Sequence, residues 1–200
     1  MSERRRDIAA ARPAGPPPDE ARLTEAAVAH LARFAATEAG LRQVLARRVD
    51  RWARAAEAEG QQDVAGRASL ARQQAAIVAR KMVARGAVDD AAFAGNRARR
   101  LLRGGRSPRA ALAHLRGKGV DAETAAAAVP EDEDSALDAA LAFCRRRRIG
   151  PFATAETDAA ARNKALGALA RGGFSGGVAR AALAMERDAA EARLIAARRE

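Results

Sequence analysis

Residues 86–94 read Gly-Ala-Val-Asp-Asp-Ala-Ala-Phe-Ala and contain the signals of a joint between two helices. Gly86 can adopt the left-handed conformation that ends a helix. Asp89 can N-cap the next helix, because its carboxylate can accept hydrogen bonds from the first free amides. Val88 and Phe93 then occupy the N′ and N4 positions, whose side chains can form a hydrophobic staple. The stretch therefore predicts a helix, a tight corner and a second helix.

The same joint holds two adjacent carboxylates, Asp89 and Asp90, which could also be a catalytic pair. Their position at a helix start favours capping by Asp89 and a favourable interaction of Asp90 with the helix dipole. The two histidines, His30 and His114, lie far apart, and Cys144 has no evident neighbouring base. The sequence therefore predicts a protein that is not an enzyme and that has no metal site and no cofactor.

Two further segments allow both a chemical and a structural interpretation. Residues 172–177 are glycine-rich, but no predicted strand precedes them and no Gly-Lys-Ser/Thr completes a phosphate loop, so a helix corner is favoured. The arginines that follow Cys144 could lower the pKa of its thiol. A small buried residue on a helix is the favoured interpretation of Cys144.

Alanine dominates the composition and supplies 58 of the 97 hydrophobic residues. Because alanine is the best helix former but buries little area, we expect a strongly helical chain with thin cores. A shift of 54 residues superimposes hydrophobic and glycine positions of residues 112–129 on those of residues 166–183. Such a period indicates tandem helical units that complete each other's cores. The predicted fold is all-α, with about three tandem three-helix repeats in an elongated array.

The predicted organisation along the chain has five parts. A basic, proline-rich arm is expected to be disordered, and it would serve either as a tether to nucleic acid or as a solvated tail. In the first repeat, Thr24 and Thr37 are expected to cap the first two helices, and Leu70 to lie on the apolar face of the third. The boundaries are an arm over 1–22, repeats over 23–88, 89–130 and 131–186, and a C-terminal helical extension over 187–200.

Basic residues exceed acidic ones by a formal net charge of +11. This charge predicts an anionic partner, such as nucleic acid, a nucleoprotein filament, an acidic protein face or a membrane surface. Residues 95–119 contain no acid at all, which favours a binding face over a merely solvated surface, where both signs intersperse. The candidate binding residues form three clusters: Arg97, Arg99, Arg100, Arg103, Arg106, Arg109, Arg116 and Lys118; Arg145, Arg146, Arg147 and Arg148; and Arg162, Lys164 and Arg171.

The chain has few aromatic residues on which bases could stack. Phe93, Phe174 and Trp52 occupy predicted core or staple positions, whereas proteins that bind single strands usually offer exposed aromatic side chains. Contacts to the phosphate backbone, together with protein contacts, therefore fit better than base recognition.

Residues 86–94 also resemble the Gly-x-hydrophobic-Asp-Asp-x-x-Phe-Ala hallmark of the RecX regulatory proteins. The resemblance continues through residues 106–120, 148–152 and 164–175, and it departs from the family at Asn96, where an aromatic residue is common. The positions that carry the family signature are Gly86, Val88, Asp89, Asp90, Phe93, Gly119, Gly173 and Phe174.

The resemblance implies a curved array of three-helix repeats that binds the RecA recombinase and its filament on single-stranded DNA. A monomer would lie along the filament groove, touch the DNA backbone, and restrain recombinase and coprotease activity in DNA recombination, repair and the SOS response. The alternative is a general helical nucleic-acid-binding or nucleoid-associated protein, which would bind naked DNA with a steep salt dependence.

The cellular location is predicted from what the sequence lacks. The single cysteine suits a reducing compartment, no apolar run is long enough to cross a bilayer, and no apolar core follows the arginine-rich start. We expect a cytoplasmic protein without membrane association.

Overall fold

A computed structural model describes residues 13–154 and 158–197, and all regular elements in these ranges are helical. The predicted all-α fold class, with tandem three-helix repeats, is confirmed. The chain divides into two compact units, Met1–Val88 and Asp89–Glu200. The helices are α1 (Glu20–Leu31), α2 (Glu38–Ala58), α3 (Val64–Ala84), α4 (Asp90–Arg103), α5 (Pro108–Gly117), α6 (Ala122–Ala128), α7 (Glu133–Arg147), α8 (Ala159–Arg171), α9 (Gly176–Ala184) and α10 (Arg187–Ala196), with a 3₁₀ turn at Gly150–Phe152.

The N-terminal unit is a three-helix bundle in which α3 packs against both α1 and α2. Thr37 caps α2 as expected, since its hydroxyl accepts a hydrogen bond from the Gly40 amide. The core differs from the predicted apolar face of α3, because Leu70 is 63% exposed. Alanines form much of the contact face together with Val64, Val78 and Met82, and their small side chains let neighbouring helices approach closely. The buried alanines of α3 are Ala68, Ala71, Ala75 and Ala79.

The first helix begins earlier than the sequence indicated. Asp19, not Thr24, is the N-cap, and its carboxylate accepts a hydrogen bond from the Arg22 amide at 2.9 Å. The residues before it pack on α2: the Trp52 indole donates to the Gly15 carbonyl at 3.0 Å. The expectation of a disordered arm is therefore wrong for residues 13–22. The arginine cluster of the arm, residues 4–6, lies outside the described residues.

The joint at residues 86–94 has the predicted backbone. Gly86 has φ +69°, and the Ala87 amide donates to the Met82 carbonyl at 2.9 Å, as in a Schellman C-cap. The Asp89 carboxylate accepts a hydrogen bond from the Ala92 amide at 2.8 Å, so its role as a cap is confirmed. Val88 is buried in the core of the N-terminal unit, whereas Phe93 packs on the core of the C-terminal unit. The two side chains expected to form a staple thus contribute to different cores.

The C-terminal unit contains two successive three-helix repeats, α4–α6 and α7–α9, around one continuous core. Helix α4 packs on α5, α6 and α7, and α7 packs in turn on α9 and α10. Helix α7 begins within an acidic run, where the Asp132 carboxylate accepts a hydrogen bond from the Ser135 amide at 2.6 Å. The 54-residue shift relates α5 to α8 and α6 to α9. It does not relate α4 to α7, because a longer connection containing the 3₁₀ turn separates α7 from α8.

Helix α10 is docked on the array rather than free of it. Ala190 and Leu194 are buried in the core of the C-terminal unit. The Arg193 guanidinium also donates to Asp138 at 2.5 Å and to Asp134 at 2.8 Å, both on α7. Helix α10 therefore covers a face of α7 that would otherwise be exposed, as a terminal cap does in a repeat protein.

Candidate functional site

The basic residues of α4 lie on its exposed face. Arg99, Arg100 and Arg103 are exposed, as the 100° helical period predicts. On the opposite face of α4, Leu102 is buried and Leu101 is half-buried. The three arginines therefore remain accessible to a partner, while the opposite face fixes α4 in the core.

Glycine and an arginine bring the C-terminal ends of α4 and α7 together. The Arg146 guanidinium donates to the carbonyl oxygen of Gly104 at 2.5 Å. Gly105 has φ +76°, and a Cβ on it would lie 2.5 Å from the backbone nitrogen of Phe143. Only glycine allows this close approach. The first and second basic clusters, which are separate in the sequence, thus form one surface.

A groove in this surface collects arginines from both helices. Arg99 and Arg103 line it from α4, and Arg145 lines it from α7. Its volume is about 230 Å³, and Leu194 of α10 forms part of its wall. The sequence predicted the three arginines as interface residues, but it gave no sign that they share one groove.

The remaining arginines of the second cluster lie at the C-terminal end of α7, and two of them contact an aromatic ring. The guanidinium groups of Arg146 and Arg147 lie 5.6 and 5.2 Å from the centroid of the Phe143 ring, within the range of cation–π attraction. Arg148 has φ +55°, a left-handed conformation that is costly for a residue with a Cβ. Their position at the C-terminal end of α7 is also favourable for positive charge.

The first and third clusters meet at a second joint. The Ser107 hydroxyl donates to the carbonyl oxygen of Gly172 at 2.6 Å, which fixes the N-terminus of α5 beside the end of α8. Arg106 and Arg109 flank the serine, and Arg171 precedes the glycine. All three arginines are exposed. This bond therefore brings basic residues of α5 and α8 to neighbouring positions.

The other predicted interface residues of α5 and α8 are less closely associated. Arg116 and Lys118 lie at the C-terminal end of α5, and Arg162 and Lys164 lie near the start of α8. All four are exposed, and within the described ranges none of them lines the groove.

Arg97 and His114 form a pair on the inner side of the basic surface. The Arg97 side chain donates from Nε to Nε2 of His114 at 3.0 Å, so this histidine nitrogen is an acceptor and the ring is neutral. Burial, followed by the positive charges of Arg97, Lys118 and Arg106, lowers the pKa of His114 below its usual value. Burial and the neighbouring positive charges therefore both favour the neutral form of His114.

The two carboxylates of α7 that bind α10 were not predicted from the sequence. Asp134 and Asp138 are four residues apart, and both bind Arg193. The spacing that puts two carboxylates on one helical face was visible in the sequence. The position of Arg193 relative to them depends on the docking of α10, which the sequence left open.

The described part of the chain offers little for catalysis. No group of three His, Cys, Asp or Glu residues in it is placed to hold a metal ion. Burial raises the pKa of the Cys144 thiol to about 12, so the arginines that follow it do not activate it. Across the same residues, no helix combines the length and apolar character needed to span a membrane.

Comparisons with known proteins agree with this architecture. The family model of the second three-helix domain of RecX matches residues 89–129, which contain α4, α5 and α6. The Regulatory protein RecX of Myxococcus xanthus (strain DK1622) is 40% identical over 161 residues, which cover 79% of this chain and 82% of the relative. The chain belongs to the RecX family.

A second RecX relative agrees over a shorter region. The Regulatory protein RecX of Agrobacterium fabrum (strain C58 / ATCC 33970) is 40% identical over 105 residues, which cover 52% of this chain and 56% of the relative. No solved structure matches the chain. The region that matches the second three-helix domain, residues 89–129, contains α4 and α5 and the whole of the acid-free basic run.

Proposed function

We propose that this RecX family member binds the RecA recombinase and its filament on single-stranded DNA. In this role it negatively modulates recombinase and coprotease activity in recombinational repair in the cytoplasm. The observation that carries the proposal is the joining of the first two basic clusters where α4 and α7 end side by side, since Arg146 of one helix binds Gly104 of the other. A continuous positive surface on rigid helices suits a polyanionic filament.

The arrangement favours contacts to phosphate and protein over recognition of bases. In the C-terminal unit the rings of Phe143, Phe152 and Phe174 are buried, and Phe93 is half-buried. They are therefore not free to stack on bases, as single-strand binders usually require. Contacts of this kind would be independent of DNA sequence, which is what a regulator of a filament needs.

We propose that one molecule lies along the filament groove and touches more than one RecA subunit. The joints at Gly105 and Ser107 support this role, because they fix successive repeats of the C-terminal unit against each other. A rigid basic array of this kind would block or destabilise further growth of the filament. No catalytic step is required of the chain.

RecA-promoted strand exchange with substoichiometric amounts of this protein tests the proposal. We expect slower strand exchange, slower ATP hydrolysis and shorter filaments. The triple variant Arg99→Ala, Arg100→Ala, Arg103→Ala should lose much of this inhibition and keep its helical circular dichroism, because all three side chains are exposed. The matched control is Arg187→Ala, which removes an exposed arginine of α10.

Cosedimentation separates the proposal from the general nucleic-acid-binding alternative. We expect tighter binding to RecA filaments than to naked single strands at the same salt concentration. Equal binding to both, with no change in strand exchange or filament length, would overturn the proposal in favour of a general DNA-binding protein.

A further inference from the structure

We propose that the groove between α4, α7 and α10 binds an acidic peptide segment that carries one leucine-sized or phenylalanine-sized side chain. The segment would belong to a protein partner. This inference deepens the proposed function, because it assigns a protein-binding site within the basic surface, next to the arginines available to DNA.

The floor and walls of the groove are mostly apolar. The apolar lining consists of Leu102 of α4, Ala139 and Ala142 of α7, Leu194 of α10, and Pro130. The volume of about 230 Å³ is enough for one large apolar side chain. Because burial of such a side chain stabilises a complex, an apolar anchor is the main contribution that this floor can make.

The rim of the groove is positively charged. Arg99, Arg103 and Arg145 surround it, and neither Arg103 nor Arg145 has a hydrogen bond or ion pair to another described side chain. Among the residues that the structure describes, the only carboxylate in the lining is Asp138, which is already bound to Arg193 at 2.5 Å. The charges available to a ligand are therefore positive, which selects an acidic segment.

An acidic peptide fits this combination better than nucleic acid does. Phosphates would satisfy the arginines, but they gain nothing from an apolar floor. Bases would need an aromatic side chain for stacking, and none lines the groove among the described residues. A carboxylate-rich peptide with one apolar anchor matches both the rim and the floor.

Helix α10 determines whether the groove exists. Leu194 and Ala197 form one wall, and Arg193 fixes that wall to α7 through Asp134 and Asp138. The groove therefore depends on the same contacts that dock the C-terminal helix, and it is already formed in the free protein.

Peptide binding to the full chain tests this inference without RecA or DNA, so its failure is distinct from a failure of the proposed function. The probe is a short fluorescein-labelled peptide of aspartate and glutamate with one central leucine, and the reference peptide has serine in its place. Fluorescence anisotropy should show about tenfold tighter binding of the leucine peptide, which corresponds to burial of one such side chain.

Variants localise the binding to the groove. Arg103→Ala and Arg145→Ala should weaken binding of both peptides, whereas Arg116→Ala on α5, outside the groove, should have no effect. Ser135→Phe narrows the groove without changing its charge and should weaken only the leucine peptide.

Two results would overturn the inference. One is equal affinity for the leucine and serine peptides, which would show that the protein recognises only the charge of the peptide. The other is tighter binding of an unlabelled single-stranded oligonucleotide than of the leucine peptide, combined with loss of that affinity in the Ser135→Phe variant. This result would identify the groove as a DNA-binding site.

Discussion

The Ser107 hydroxyl donates a hydrogen bond to the Gly172 carbonyl oxygen at 2.6 Å and accepts one from the Ala110 amide at 3.2 Å. One side chain therefore caps α5 and holds the turn between α8 and α9 against it. Because Ser107 is fully buried, this contact is shielded from water and joins the two repeats of the C-terminal unit directly.

The variant Ser107→Ala should be clearly destabilising. It removes a helix cap and leaves the Gly172 carbonyl without this donor, so we expect a loss of about 2–3 kcal/mol in the free energy of unfolding. Ser175 is the matched control, because it caps α9 in the same way but is exposed. Ser175→Ala should cost about 1 kcal/mol. Urea denaturation measures both, and equal losses would contradict an inter-repeat role for Ser107.

Gly173 provides the other half of this joint. Its φ is +87°, and a Cβ on it would lie 2.7 Å from Ser107 Oγ. Gly173→Ala should therefore destabilise the fold by about 1–3 kcal/mol through backbone strain and the displaced serine. Gly177→Ala, in α9, meets no atom within 4 Å and should stabilise the helix by about 0.5–1 kcal/mol. We expect the thermal midpoint of unfolding to fall for Gly173→Ala and to rise for Gly177→Ala. A shift of both midpoints in the same direction would refute this explanation of Gly173.

Local signals allow helix starts to be predicted from the sequence. Thr37 and Asp89 cap helices as expected, and Ser107 and Asp121 cap theirs in the same way, because capping depends on residues only three positions apart. Asp19 was missed because the nearby prolines suggested disorder. The docking of that segment depends on Trp52, which is distant in sequence.

The exposed basic residues could be predicted from the sequence, but which of them lie close together in the folded protein could not. Composition and the helical period identify exposed arginines on each helix. Whether Arg103 lies beside Arg145 depends on how α4 and α7 pack, and that packing is decided by Gly105 against Phe143. Contacts between elements distant in sequence leave no periodic signal, so the groove became visible only in three dimensions.

The ion pairs of Arg193 should control the docking of α10. Arg193→Ala removes charge-assisted hydrogen bonds to Asp134 and Asp138, so the free energy of local opening should fall by about 1.5 kcal/mol. Hydrogen exchange of the α10 amides should then be about tenfold faster. Arg187→Ala breaks only an exposed pair with Glu191 and should change exchange by less than about threefold. Equal effects of the two variants would mean that apolar contacts alone hold α10.

His114 should make the stability of the C-terminal unit depend on pH. Burial and the charges of Arg97, Lys118 and Arg106 lower the pKa of His114 below 6.5 in the folded state. Between the two pKa values the unfolded chain binds more protons, so the free energy of unfolding falls as the pH drops from 6.5 through the folded-state pKa. Above pH 6.5 this contribution is fully present.

The variant His114→Gln tests this linkage. Glutamine retains an oxygen that can accept the Arg97 hydrogen bond but does not titrate, so the decline in stability below pH 6.5 should become shallower. His30→Gln, in the N-terminal unit, is the control. Urea denaturation at a series of pH values gives the slopes, and NMR titration of the ring protons gives the pKa of His114 directly. A folded-state pKa at or above 6.5 would show that the basic surface does not hold this histidine neutral.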